Sequence, residues 1–219
     1  MGRFADFFIG GVFLLYWFYC NTVSILSQQV TIDDTLRDGF KGLPKHFLVM
    51  VTSSPSNYGS MILGVMRQLM SPETVGVYIS VNKPYFSLTE EMEDQDIPTS
   101  NMYFLDCASG LMGKQPQEIG KTYILSGPSN LTELSITLSD LLSSEKIKGR
   151  EDKTILFLDS VSTFLIYNDA NMVAKFLHAI SGKVRTHNIN GVFFSLHEDI
   201  TKGAVATTVQ FHDKVLEIA

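Results

Sequence analysis

Cysteine is nearly absent from this 219-residue chain: Cys20 and Cys107 stand alone, 87 positions apart. Two thiols that distant make neither a disulfide framework nor a CxxC metal site, and they fit a reducing compartment. The five histidines (His46, His178, His187, His197, His212) show no HExxH or HxH spacing, so no zinc site of those types is written here. Positive charge is short as well. Lys and Arg number 17 against 23 Asp and Glu, a formal net charge of −6, and no basic run occurs. A broad nucleic-acid-binding face needs clustered cations to neutralise phosphates, which argues against nucleic acid as a partner. No internal repeat or low-complexity segment is present. Apolar residues, in contrast, make up 45% of the chain, enough to bury the core of one medium domain with a short segment to spare.

The spare segment lies at the start. Phe7 to Leu26 reads FFIGGVFLLYWFYCNTVSIL, without a charge, and about twenty apolar helical residues span a bilayer core. Tyr16, Trp17 and Tyr19 sit where amphipathic rings settle at an interface. Arg37, Lys41 and Lys45 follow the run, against Arg3 before it. Residues 1–29 therefore read as a hydrophobic, membrane-spanning segment, with a single pass that leaves the C-terminal domain cytoplasmic. Three other readings are a signal peptide, although no A-x-A-like cleavage site follows, a buried core helix, and a false start codon, which would make the protein cytoplasmic. Residues 30–45 read as a polar connector ending in a turn cluster.

From residue 46 onward, short apolar runs alternate with helical patterns. FLVMV (47–51), VGVYISV (75–81), MYFLD (102–106), TILFL (154–158) and GVFFSL (191–196) read as strands, with a short one at 123–125. Helical spacing marks 60–70, 87–95, 131–144 and 170–185, and Ser129 or Asn130 is the expected cap of the third. The alternation over 205–211 and 214–218 predicts a closing hairpin. Apolar strands separated by helices imply a mostly parallel sheet covered on both faces, an α/β fold. Ligands in such sheets bind beyond the carboxyl ends of the strands.

One of those ends has the shape of a phosphate-binding loop. That motif is G-x-x-x-x-G-K-[ST]. Aligned on Gly59, the chain reads Ser54-Pro55-Ser56-Asn57-Tyr58-Gly59-Ser60-Met61. Ser54 takes the place of the first glycine, Ser60 that of the lysine, and Met61 that of the magnesium-binding hydroxyl. Serine carries no charge to offset a phosphate, and methionine does not ligate a hard cation. Pro55 removes a backbone donor. The helix N-terminus still favours an anion. The candidate nucleotide site is thus Ser54, Asn57, Gly59, Ser60, Met61 and Asp159, with no catalytic residue and no metal ligand named. Asp159-Ser160 ends the TILFL strand in the manner of a Walker B segment, where the aspartate holds magnesium through water; a helix cap or turn is the competing role. His197 and Glu198 close the GVFFSL strand, where a hydrogen-bonded loop histidine is the ordinary reading.

The order FLVMVTSSPSNYGS, VYISVNKPY, MYFLDC, ILSGPSNLTELSITLSDLL, ILFLDSVSTFLIYND and GVFFSLHED resembles the archaeal KaiC-like branch of the RecA superfamily, in a divergent form with an eroded phosphate loop. The resemblance spans about Asp34 to Ile218. It implies a RecA-like domain over 46–219, preceded here by the N-terminal hydrophobic helix, with ATP and magnesium between subunits of a homo-oligomeric ring. It also implies a water-activating glutamate where Asn82-Lys83-Pro84 follows the second strand, and a bridging cation at Lys202-Gly203. The missing lysine and glutamate weaken the ATP part, so no cofactor is expected beyond weak ATP/Mg binding. The functional expectation is a membrane-tethered pseudo-ATPase that binds protein partners in signalling or scaffolding; alternatives are a nucleotide-binding switch or weak ATPase, and a regulator contacting DNA or a transcription factor, with the acidic balance against direct DNA contact. Tyr85, Phe86 and 164–169 are either an interaction edge or core.

Overall fold

The computed structural model describes residues 29–200 and 206–218. The expected alternation is present. Eight strands run β1 (Leu48–Ser53), β2 (Val75–Ser80), β3 (Met102–Asp106), β4 (Gln117–Ile119), β5 (Thr122–Ile124), β6 (Thr154–Asp159), β7 (Asn190–Leu196) and β8 (Lys214–Ile218). They form one sheet in the order β4-β5-β3-β2-β6-β7-β1-β8. All neighbours are parallel except β4 with β5. The helices are α1 (29–40), α2 (Tyr58–Leu69), α3 (Tyr85–Glu93), α4 (Cys107–Leu111), α5 (Leu131–Leu142), α6 (Val161–Tyr167), α7 (Ala170–Thr186) and α8 (His197–Ile200).

The central strands are buried along their whole length because both faces are covered. Leu48, Met50, Val77, Ile79, Leu156, Leu158 and Phe193 point to one face, under Leu134 and Leu138 of α5 and Leu177, Ile180 and Val184 of α7. The alternate residues Val49, Val51, Tyr78, Phe157, Val192 and Phe194 point to the other, under Met61, Val65 and Met66 of α2 and Leu88 and Met92 of α3. Asn130 caps α5, accepting from the Glu133 amide at 3.1 Å, as its sequence position implies.

Four expectations require correction or qualification. Residues 29–40, read as connector, are helical: Ile32 and Leu36 are 3% and 0% exposed and join the second core face. The polar composition of this segment hides a one-sided stripe. It crosses α2 at Gly64, where a side chain would meet Leu36 Cδ1 at 2.8 Å, and the half-buried Arg67–Asp33 pair at 3.0 Å fixes the crossing. The closing hairpin is absent among the described residues. Thr207–Phe211 is a 3-10 turn and β8 pairs parallel with β1, because alternation specifies which face is buried and not which strand is the neighbour. The exposed edge strand β4 has no apolar signal and is not foreseen. Finally, no helix among the described residues is long and apolar enough to cross a membrane, which corrects the single-pass membrane placement with a cytoplasmic C-terminal domain. The longest helix, α7, has 17 residues and carries Lys175, Lys183 and Arg185 on an amphipathic pattern. The run 7–26, Cys20 and Lys202-Gly203 lie outside the described residues.

His212 leads into β8 and supplies a pH dependence. Its Nδ1 donates to the Thr208 carbonyl at 3.0 Å, while Nε2 is buried without a partner. Burial lowers its pKa from 6.5 to about 4. As pH falls below 6.5 the unfolded chain takes up a proton here and the folded chain does not, so stability is full above that value and is lost toward pH 4. The expected loss is about 2–3 kcal/mol. Urea unfolding of the protein and of His212→Gln at pH 7, 5.5 and 4.5 checks it: the variant starts lower and has the flatter profile.

Candidate functional site

The carboxyl ends of β1, β2 and β6 meet on one edge of the sheet, and Asp159 is the centre of what they bring together. It ends β6, is 2% exposed, and is fully engaged. Tyr58 Oη donates to its Oδ1 at 2.7 Å, Asn82 Nδ2 donates to the same oxygen at 3.1 Å, and Tyr78 Oη donates to Oδ2 at 2.8 Å. Burial raises its pKa, with the three donors acting in the opposite direction. Burial, and then the Asp159 charge, hold Tyr58 and Tyr78 well above the usual phenol range, so both are permanent donors. Asp159 is not a helix cap. That role falls to Ser160, which accepts from the Thr163 amide at 3.1 Å and opens α6. Ser160, Thr163 and Asn82 complete the network: Ser160 Oγ lies 2.8 Å from Thr163 Oγ1, which donates to Asn82 Oδ1.

The loop before α2 places the remaining candidates apart from this network. Ser54 Oγ pairs with Ser56 Oγ at 2.9 Å. Asn57 precedes α2 without a capping side-chain bond. Gly59 lies exposed in the first turn of α2, with right-handed backbone and no atom within 4 Å of a notional Cβ. Ser60 is half-buried beside it, and Met61 is fully buried in the core. Within the protein itself nothing requires a glycine at position 59, which is helical and meets no neighbouring atom. Gly59→Ala is therefore expected to leave the fold intact and to raise stability by about 0.5–1 kcal/mol through helix propensity, read from the urea midpoint.

Two cavities flank Tyr58. The larger, about 600 Å3, is lined by Pro55, Tyr58, Asn82, Ser160, Ser162, Thr163, Leu165, Ile166, Leu196 and Asp199. The smaller, about 240 Å3, runs between α2 and α3 past Gly59, Ile62, Lys83, Glu91 and Asp159. Lys83 is paired with Glu91, its Nζ 2.5 and 2.8 Å from the two carboxylate oxygens. On the β7 side, His197 Nδ1 meets Thr52 Oγ1 at 3.0 Å. The segment 164–169 divides: Phe164 is core, while Ile166 is 75% exposed; Tyr85 is half-buried and Phe86 exposed.

Sequence reasoning missed Tyr58, Tyr78 and the part played by Asn82. A signal existed for one of them. A tyrosine within the otherwise aliphatic buried strand VGVYIS must find a partner for its hydroxyl. It also missed Asp106, fully buried at the end of β3, which accepts from the Tyr85 amide at 3.0 Å and from the Ser109 amide and hydroxyl at 2.8 and 2.7 Å. That carboxylate is consumed in holding α3 and α4.

The fold has solved relatives. It superposes with TM-score 0.59 on the uncharacterized protein PH0321 of Pyrococcus horikoshii, determined in complex with an unknown peptide, at 16% identity over 80% of this chain and 78% of that one. It superposes with TM-score 0.53 on the KaiC-like protein PH0186 of Pyrococcus horikoshii OT3, at 12% identity over 80% and 73%. These likenesses bear on the fold alone: a mostly parallel α/β sheet consistent with a RecA-like fold. No curated protein matches the sequence. Residues 70–218 match the model of a family of unknown function, DUF7504. That match begins after the loop that precedes α2.

Proposed function

The chain belongs to the DUF7504 family, and on that premise we propose that it is a RecA-like domain that does not turn over nucleotide and works by binding a segment of another protein at the carboxyl edge of its sheet. We read residues 54–61 as a degenerate phosphate loop. The observation that carries the proposal is the closure of Asp159: both oxygens are taken by Tyr58, Tyr78 and Asn82. A magnesium ion or its water would have to displace those neutral donors in a buried site. Magnesium–nucleotide, the group implied by the fold, does not fit these residues. Among the described residues, the side chains lining the larger cavity include no cation, and Lys83 beside it is spent on Glu91. Four negative charges of a nucleotide triphosphate would have no compensation there, and positioned cations are what phosphoryl transfer depends on. Asn82, at the place of the water-activating glutamate, is an amide and does not act as a base.

The same cleft suits a polypeptide better. It is open, of a volume usual for ligand sites, and mixes hydroxyls with Leu165, Ile166 and Leu196. PH0321 carries a bound peptide on a similar fold, which supports this direction. A signalling or scaffolding role follows from such binding. Titration calorimetry of ATP·Mg2+ into the full chain tests the reading. No saturable heat is expected up to several millimolar; binding with Kd below about 1 mM, −4.1 kcal/mol, overturns it in favour of a nucleotide-dependent switch.

A further inference from the structure

We propose that the larger cavity selects a segment in which an aliphatic side chain stands beside a lysine or arginine, the aliphatic group seated on Leu165, Ile166 and Leu196 and the cation held by Asp199. This rests on the protein-binding reading above and names the chemistry of its occupant.

The apolar half follows from exposure. Ile166, in the last turn of α6, is 75% exposed and faces a cavity that also presents Leu165 and Leu196. An aliphatic side chain entering here removes apolar surface from water on both partners, at about 25 cal/mol per Å2. The polar floor does not compete for that group or for an anion, because its hydrogen bonds are committed internally. Ser162 Oγ accepts from the Leu196 amide at 2.8 Å, Ser160 Oγ accepts from the Thr163 amide at 3.1 Å, and Tyr58 Oη donates to Asp159. The Leu196 and Thr163 amides are therefore already satisfied.

The cationic half follows from charge. Among the described residues lining the cavity, Asp199 carries the one formal charge and none is Lys, Arg or His. Behind the floor lies Asp159, and in the adjoining cavity Glu91 balances Lys83. An acidic or phosphorylated segment would meet uncompensated negative charge at close range, whereas a basic side chain finds a carboxylate partner at the rim. Asp199 is half-buried, where such a pair is less screened than on open surface.

The test is selection of a random nonapeptide display library on the immobilised full chain, followed by binding of the selected peptides, made synthetically, to the wild type, Asp199→Asn, Asp199→Lys and Ile166→Ser. The expected result is enrichment of an aliphatic residue adjacent to Lys or Arg, with affinity falling about tenfold in Asp199→Asn and in Ile166→Ser, and Asp199→Lys selecting acidic residues instead. All three substitutions fall on accessible side chains, at two positions, and unchanged thermal unfolding of each variant confirms that the loss is local. Peptides selected without a basic residue, or bound equally by all variants, overturn this inference while leaving a protein-binding domain. Failure to enrich any peptide over a blank surface removes the protein-binding reading itself.

Discussion

Gly110→Ala is expected to destabilise the protein by about 3 kcal/mol or more, since an added Cβ there would make the closest contact of any described glycine. Gly110 lies in α4, pressed against the chain leaving β5. A Cβ built there would stand 2.1 Å from the Leu125 carbonyl oxygen and 2.7 and 2.8 Å from the Ser126 carbonyl carbon and oxygen. These are backbone atoms, so no rotamer change relieves the contact. The strand cannot retreat either. The Leu125 amide donates to the Asp106 carbonyl at 3.0 Å, and the Ser126 amide donates to Glu133 at 3.1 Å. Moving the segment breaks the β3–β5 ladder or the start of α5. Urea denaturation reads the loss directly, and Gly59→Ala, which meets no neighbour, is the internal control. A loss below about 1 kcal/mol would mean that α4 is free to shift, and the close packing described for this corner would be wrong.

Tyr78→Phe is expected to cost about 2–4 kcal/mol at neutral pH, against about 1 kcal/mol for Tyr58→Phe. The asymmetry comes from the two oxygens of Asp159. Oδ1 accepts from both Tyr58 and Asn82, so it keeps one donor when Tyr58 is truncated. Oδ2 accepts from Tyr78, the sole side-chain donor to it among the described residues, and Tyr78 is 0% exposed. Burial already raises the Asp159 pKa, and losing the Tyr78 hydroxyl raises it further. The sign is then determined. A carboxyl whose folded pKa is raised is penalised in its ionised form, so stability declines as pH rises through the folded value and is recovered in acid. The cost of Tyr78→Phe is therefore greater at alkaline than at acid pH, and shrinks as Asp159 takes up its proton. Equal costs for the two tyrosines, or a cost independent of pH, would contradict an ionised Asp159 held by three neutral donors.

Much of the scaffold was legible in advance because it is a matter of local pattern. FLVMV, VGVYIS, MYFLD and TILFL are apolar without interruption, which occurs when both faces of a strand are covered, and all four are central parallel strands. Asn130 announced the start of α5 through its own short-range chemistry. Failures came where the pattern was weak or ambiguous. The stripe of α1 rests on few apolar residues in a polar segment, Ile32 and Leu36 among them, and β4 is exposed at every position. The terminal alternation predicted burial correctly for Leu216 and Ile218 but not their parallel partner β1.

By itself the sequence determined a mostly parallel α/β sheet and a loop over 54–61 that contains no lysine. These are properties of residue type and short-range spacing, and they survive without knowledge of any distant contact. Only the tertiary structure decided what closes on Asp159. Tyr58, Tyr78 and Asn82 come from two separate stretches of chain, 77 to 101 residues from the carboxylate they close upon. None of them carries a motif, since a hydroxyl or amide donor becomes significant only when packing removes water and aims it at a buried acceptor.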